Sequence, residues 1–307
     1  MTTIRPLAIR PGSLALALLL VGLGLATASA KTTLRWKFKP GDVLHYTMDQ
    51  TTVSTGQDPG GKELKQTIGL IMDMTWTVKS VDASGAASMT QTIDRVRTSA
   101  VSPYGKFSFD SKEAGDAGSI AGPLFKMLVG AEFTSKMTPL GEVADIKLSD
   151  KLLATLRGDN EPAGAQGQFS EAGLKNMLAQ MVIPLPEGGV DPGETWTRKM
   201  AIPAGPDGQT RQIDQTFIYK GADPSSEGLV GIEFSTKFEP PKADPNVPVT
   251  FKKETAAGRF DFDNAAGRIA RSNVAEVVEV SIALEGKEIP QKVETNRTLA
   301  LSKDKTP

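Results

Sequence analysis

The stretch Leu70–Lys79 restricts this chain more than any other. Leu70, Met72, Met74, Trp76 and Val78 fall on one side of a period of two, and Asp73, Thr75, Thr77 and Lys79 on the other. Only Ile71 breaks the alternation. A helix would scatter these apolar residues around its axis, whereas a strand gathers them on one face. The expected element is an antiparallel strand with one face buried and one solvated. At about 3.3 Å per residue it spans roughly 33 Å, which suits a large curved sheet better than an ordinary sandwich. The same habit recurs at Leu44, Tyr46 and Met48, at Val230, Ile232, Phe234 and Phe238, at Phe260 and Phe262, and at Val274, Val278, Val280 and Ile282. A last strand runs from near Gln291 to Leu301.

Two parts of the chain echo each other. Pro40-Gly41-Asp42 and Pro192-Gly193-Glu194 each lead into a β-prone segment. Thr75–Lys79 resembles Thr216–Lys220, and a turn follows each, at Asp82–Gly85 and Asp223–Gly228. Gly105–Ser111 then matches Gly258–Asn264. The repeated spacing argues for duplication of a unit of about 150 residues. The halves would cover about 31–150 and 184–307, joined by a helical segment at 149–183.

The N-terminus carries Arg5 and Arg10, an apolar run from Leu14 to Leu25, and Ala28-Ser29-Ala30. This pattern predicts a secretory signal peptide over residues 1–30, cleaved before Lys31. The apolar run is shorter than the ~20 residues that span a bilayer. No later segment is apolar enough to cross one, so the mature chain is expected to lack a transmembrane segment. The expected location is exported, periplasmic or extracellular, in a bacterium. The chain has no cysteine, so export brings no disulfides. Its 35 Lys and Arg against 36 Asp and Glu, a net of −1, exclude a nucleic-acid binder working by bulk charge. Residues 31–307 are read as one β-rich domain.

Helices are few and lie between the two echoes. Pro123–Val129 is short and apolar, and Ser149 precedes a second at Asp150–Leu156. Ser170 can cap a third over Glu171–Val182, where Leu174, Met177, Leu178 and Met181 form one stripe. Pro184 ends it. Phe133–Lys147 reads as a hairpin turning at Pro139–Gly141. Arg157–Gln168 and Glu239–Pro248 read as loops.

Chemistry is hard to find. The single histidine, His45, sits opposite the apolar stripe of its strand and reads as a surface residue. One His and no Cys leave no zinc set and no Cys nucleophile. No Gly-x-Ser-x-Gly elbow or phosphate-binding loop is present in the mature chain. Asp261 and Asp263 lack the closing ligands of a calcium loop and read as a strand end before a turn. Arg157-Gly158-Asp159 and the sequon Asn296-Arg297-Thr298 are short matches without supporting context. No cofactor and no metal are expected. Met72, Met74 and Trp76 on one inward face, with Leu174, Met177 and Met181 on the helix stripe, are the candidates for an adaptable apolar pocket. The competing reading makes them core.

Several turns carry a resemblance: Lys39-Pro40-Gly41-Asp42-Val43-Leu44-His45-Tyr46, Phe109-Asp110-Ser111, Met137-Thr138-Pro139-Leu140-Gly141-Glu142-Val143 and Pro192-Gly193-Glu194-Thr195-Trp196. Through them the chain resembles an uncharacterised family of exported bacterial β-rich proteins. A long antiparallel sheet with a few covering helices is also similar to the periplasmic lipoprotein-carrier half-barrels. That likeness implies a site for acyl chains.

The expected fold is mainly β: ten to twelve strands in a large curved antiparallel sheet or open barrel, from two similar halves, with a few short helices over the apolar face. A two-sheet sandwich is the second architecture. Three functions stay open. The first is a non-catalytic envelope module for a lipid or other apolar ligand. The second is an adaptor that binds another envelope protein, and the third a carboxylate-based hydrolase.

Overall fold

Alternation of the kind seen in Leu70–Lys79 recurs along the described strands and produces one antiparallel sheet. The computed structural model describes residues 31–58, 60–113, 122–157, 170–203, 210–239, 249–284 and 287–302. The expected signal peptide at 1–30 lies outside them, as do residues 158–169, which include two of the Arg-Gly-Asp residues, and residues 240–248 of the Pro-rich connection.

The first six strands are β1 (Val43–Gln57), β2 (Glu63–Val81), β3 (Ala87–Ser102), β4 (Gly105–Asp110), β5 (Glu132–Met137) and β6 (Val143–Leu148). The other six are β7 (Thr195–Pro203), β8 (Thr210–Ala222), β9 (Leu229–Phe238), β10 (Val249–Asp263), β11 (Arg268–Leu284) and β12 (Lys287–Leu301). Their order in space is β6-β5-β3-β2-β1-β12-β11-β10-β9-β8-β7, with β4 paired to β3. The first and last strands thus meet in the middle, where Met48 lies opposite Leu299. All twelve described strands share one sheet that does not close, so the second architecture, a sandwich, is not the one formed.

β2 is 19 residues long, roughly 60 Å at the usual rise. Leu70, Met72, Met74, Trp76 and Val78 are each at most 8% exposed, so the inward face read from the alternation is the buried one.

Three described helices lie between β4 and β7: α1 (Gly122–Leu128), α2 (Asp150–Arg157) and α3 (Glu171–Gln180). Ser170 caps α3 by accepting a hydrogen bond from the Gly173 N–H at 3.1 Å. The helix stops two residues short of the expected Val182, with Met181 as its C-cap. Val182 and Ile183, in the chain that follows, are buried. α3 packs against both β6 and β7, the two edges of the sheet. The sheet therefore curls until its edges meet one helix, and α3 spans the open side. Backbone bonds fasten the same seam. Trp36 N–H donates to Pro139 O at 2.9 Å, and Leu185 N–H to Leu140 O at 2.8 Å. The Trp36 and Trp196 indoles donate to the neighbouring carbonyls of Ile183 and Pro184 at 3.1 and 2.9 Å.

The echoed turns share their bonding. Gly41 N–H donates to Val78 O and Val78 N–H to Asp42 O; Gly193 N–H donates to Tyr219 O and Tyr219 N–H to Glu194 O. Asp82 and Asp223 each accept from the N–H and hydroxyl of the serine two residues on, Ser84 and Ser225. The register of β2 with β3 slips just after Val78, and that of β8 with β9 just after Tyr219.

On the convex face, Arg95 donates through Nε and Nη2 to both oxygens of Asp110. These bonds hold the Asp110 carboxyl at about 2, well below the usual carboxylate range. A depressed acid stabilises the fold above its unfolded value near 4, and the contribution disappears as pH falls through the folded value. Asp110→Asn is expected to cost about 1 kcal/mol at neutral pH, a modest figure because the pair is partly solvated. It should also flatten the loss of stability between roughly pH 4 and pH 2. Urea melts at several pH values check this; an unchanged acid limb would rule out the pair as its source.

Candidate functional site

The antiparallel register builds the site from rows of residues that are distant in the chain. Trp196 pairs with Phe217, and Phe217 with Phe234. Cross-strand neighbours on one face lie close enough for their side chains to touch, and these rings do. Centroids are 5.6 Å apart for Trp196 and Phe217, 5.9 Å for Phe217 and Phe234, and 5.2 Å for Phe234 and Phe260. Phe234 comes so near β10 that a Cβ on Gly258 would lie 2.8 Å from its ring, so glycine leaves the space the ladder uses.

One row further along the strands the chemistry changes. Arg198 pairs with Gln215, Gln215 with Thr236, Thr236 with Ala256, and Ala256 with Glu276. The next row out is apolar again, with Met200 opposite Ile213 and Ile213 opposite Phe238. Above these rows sit the end of α3 and the chain after it: Ala179, Gln180, Val182 and Ile183. The space between is a cavity of about 150 Å³. Glu254, Val274 and Arg297 complete its wall on the β10–β12 side.

The cavity is amphipathic. Burial lowers the Arg198 pKa, and Glu142 acts against that shift. Burial lowers Arg297 likewise, opposed by Glu276. Arg297 also makes a long contact of 3.5 Å from Nη2 to Gln180 Oε1. A volume near 150 Å³ matches internal cavities that admit a benzene-sized group. It is below the ~300 Å³ at which pockets begin to hold whole drug-sized ligands, so the cavity can hold one end of an elongated molecule.

The six residues expected to line a pocket lie elsewhere. Met72, Met74 and Trp76 are at most 2% exposed in the first meander, Leu174 and Met181 are at most 5% exposed, and Met177 packs beside them half-buried. None of the six lines the cavity. Uninterrupted apolar stripes fit against one another and fill space. Here the space opens where polar side chains interrupt the inward face. The available signal was a charge on an apolar strand face: Arg198 between Trp196 and Met200, and Arg297 two residues before Leu299.

The other candidates sit on turns and the convex face. His45 Nδ1 lies 3.0 Å from Thr75 Oγ1, whose hydroxyl donates to Asp94. Asp261 accepts from Arg259 and Arg271, and Asp263 accepts from the Ala266 N–H in the turn that follows β10. Among the described residues no cluster of three or more His, Cys, Asp or Glu is placed to hold a metal ion. No described helix is long and apolar enough to cross a membrane.

Residues 84–226 match the profile of a family of unknown function (DUF6263). The matched span includes three of the turn motifs that carried the resemblance, at 109–111, 137–143 and 192–196. No curated protein matches the chain. Among solved structures, one described as "Lipid-protein interactions in lipovitellin" is similar over 88% of this chain, with a TM-score of 0.54 and 12% identity. The likeness covers 26% of that protein, so this chain spans only about a quarter of its length. It is a likeness of fold. DynF from the dynemicin pathway of Micromonospora chersina aligns with a TM-score of 0.22, 7% identity and coverage of 89% of this chain and 86% of that one. An outer membrane channel from Pseudomonas putida F1 aligns at 0.25, with 10% identity and coverage of 87% and 97%. Both scores are below the level at which folds correspond.

Proposed function

We propose that this protein is an exported, non-catalytic binding module for an apolar ligand such as a lipid or acyl chain. The observation that carries the reading is the cavity under α3, with stacked aromatic rings on one side and Met200, Ile213 and Phe238 on the other. Apolar walls give affinity through buried area, and a few polar groups fix orientation. The curled sheet supports the reading because both edges meet α3, so a ligand end can be shielded without a closed barrel. The likeness in fold to a structure described by its lipid–protein interactions points the same way.

Ala256 tests the site. It lies half-buried in the polar row, opposite Thr236, and a leucine there would project into the cavity. Ala256→Leu is expected to weaken binding of N-phenylnaphthylamine, an apolar probe that fluoresces when sheltered, by at least about tenfold, since each lost CH₂ contact is worth ~0.8 kcal/mol. Its melting temperature should hold or rise. Equal probe binding by the variant and the parent protein would remove the cavity from the account.

A second reading, an adaptor for another envelope protein, draws on one specific feature. Tyr104 is 84% exposed at the turn between β3 and β4, next to the exposed Val101. Loss of a co-purifying protein on Tyr104→Ser, with probe binding intact, would favour it.

A further inference from the structure

We infer that the cavity selects amphiphiles with a carboxylate head, of the fatty-acid class, and that Arg198 is the residue that reads the head. The inference rests on the proposed apolar-ligand site and names the ligand that it takes.

Arg198, Gln215 and Thr236 are adjacent on three neighbouring strands and point to the same face. All three line the cavity. Arg198 forms no hydrogen bond or ion pair among the described residues, and neither does the side chain of Gln215 or Thr236. A partly buried guanidinium without a hydrogen-bond partner is costly, and evolved proteins normally pair it. Arg297 lines the same cavity and has the Gln180 amide oxygen at 3.5 Å as well as the charge of Glu276, whereas Arg198 feels the charge of Glu142 and makes no hydrogen bond among the described residues. Arg198 therefore offers the fork of donors that a carboxylate accepts in two parallel bonds. The Gln215 amide and Thr236 hydroxyl stand next in the row to complete the head's hydrogen bonds.

Size and surroundings narrow the class. A cavity of about 150 Å³ leaves space for a compact head and the first carbons of a chain. The rows on either side are aromatic and aliphatic, so the chain leaves the head over apolar surface whichever way it turns. At the β10–β12 end Arg297 already has Glu276 and Gln180 beside it, so the anionic head is assigned to Arg198 at the β7–β8 end.

The test is displacement of N-phenylnaphthylamine from the purified chain by decanoate, decanol and decyltrimethylammonium. Decanoate is expected to compete about 10- to 100-fold better than decanol, the range for a charge-assisted pair in a partly desolvated site. Decyltrimethylammonium should be the weakest of the three. Arg198→Met, which keeps the apolar stem, should bring decanoate and decanol within about twofold of each other. Arg198→Lys should restore part of the preference, which a merely structural role would not. If the probe binds but decanoate and decanol compete equally, the carboxylate assignment is overturned while the apolar site stands. The same holds if Arg198→Met keeps the full preference. If the probe does not bind at all, the proposed function fails and this inference with it. Should Arg198→Met not fold, the three-ligand comparison on the parent protein still decides the assignment.

Discussion

Replacing Gly141 with alanine is expected to lower the stability by about 2–5 kcal/mol, from left-handed strain plus overpacking. Gly141 holds φ +78°, a conformation that costs an L side chain of order 1 kcal/mol before any contact is made. An added Cβ would also lie 2.1 Å from the Ile183 carbonyl oxygen and 2.8 Å from the Trp36 indole nitrogen. Both are parts of the seam, because Trp36 donates to that carbonyl. The methyl group cannot be accommodated without parting the β5–β6 turn from the chain that follows α3. Ile183 also lines the cavity, so probe binding should weaken together with stability. Gly130 is the control. Its φ is +72° but nothing lies within 4 Å of the position a Cβ would take, so Gly130→Ala should show the strain alone, about 1 kcal/mol. Urea melts of the two variants separate the effects; equal losses would mean that the seam contact at Gly141 carries no weight.

Trp76→Ala is the second large effect, with an expected loss of about 3–5 kcal/mol, the range for emptying a buried aromatic site. Trp76 is 1% exposed and its ring lies 4.8 Å from that of Tyr46. Tyr46 is itself buried, and its hydroxyl donates to Ile269 O at 3.0 Å, which joins the first meander to β11. A hole beside it therefore loosens the centre of the sheet, not one edge. In a chain of this size the loss corresponds to a melting point lower by roughly 10 °C. Among the described residues the indole N–H of Trp76 finds no acceptor, and an unpaired buried donor is itself a cost. Trp76→Phe removes that cost along with part of the volume, so it should retain most of the stability. A phenylalanine variant as unstable as the alanine one would show that the indole is bonded in solution. Trp76 does not itself line the cavity.

What could be read from the chain follows from how local each signal was. The period of two in β2 is set by one strand's own residues, and it identified the buried face correctly. The Pro-Gly-acid turns are equally local, and their backbone bonds match pair for pair. Ser170 announced α3, although the helix ends early at Met181, and Val182 and Ile183 are buried in the chain that follows. The cavity was not local. Arg198, Gln215 and Thr236 belong to β7, β8 and β9 and become neighbours only through the register of two strand pairs. Nothing in the spacing of 198, 215 and 236 says that they share a face. The Met and Trp stripe is continuous, and continuity is what a filled core requires. A cavity needs the opposite, an inward face interrupted by groups that cannot be packed away.

The most direct measurement is an organic-solvent extraction of the protein purified natively, without added detergent, beside Ala256→Leu prepared the same way. Mass spectrometry of the extracts identifies what each carried. The account predicts an acyl carboxylic acid near one equivalent from the parent protein and a strongly reduced amount from the variant. An empty extract from a folded parent protein, or the same ligand in equal amount from both, would contradict it.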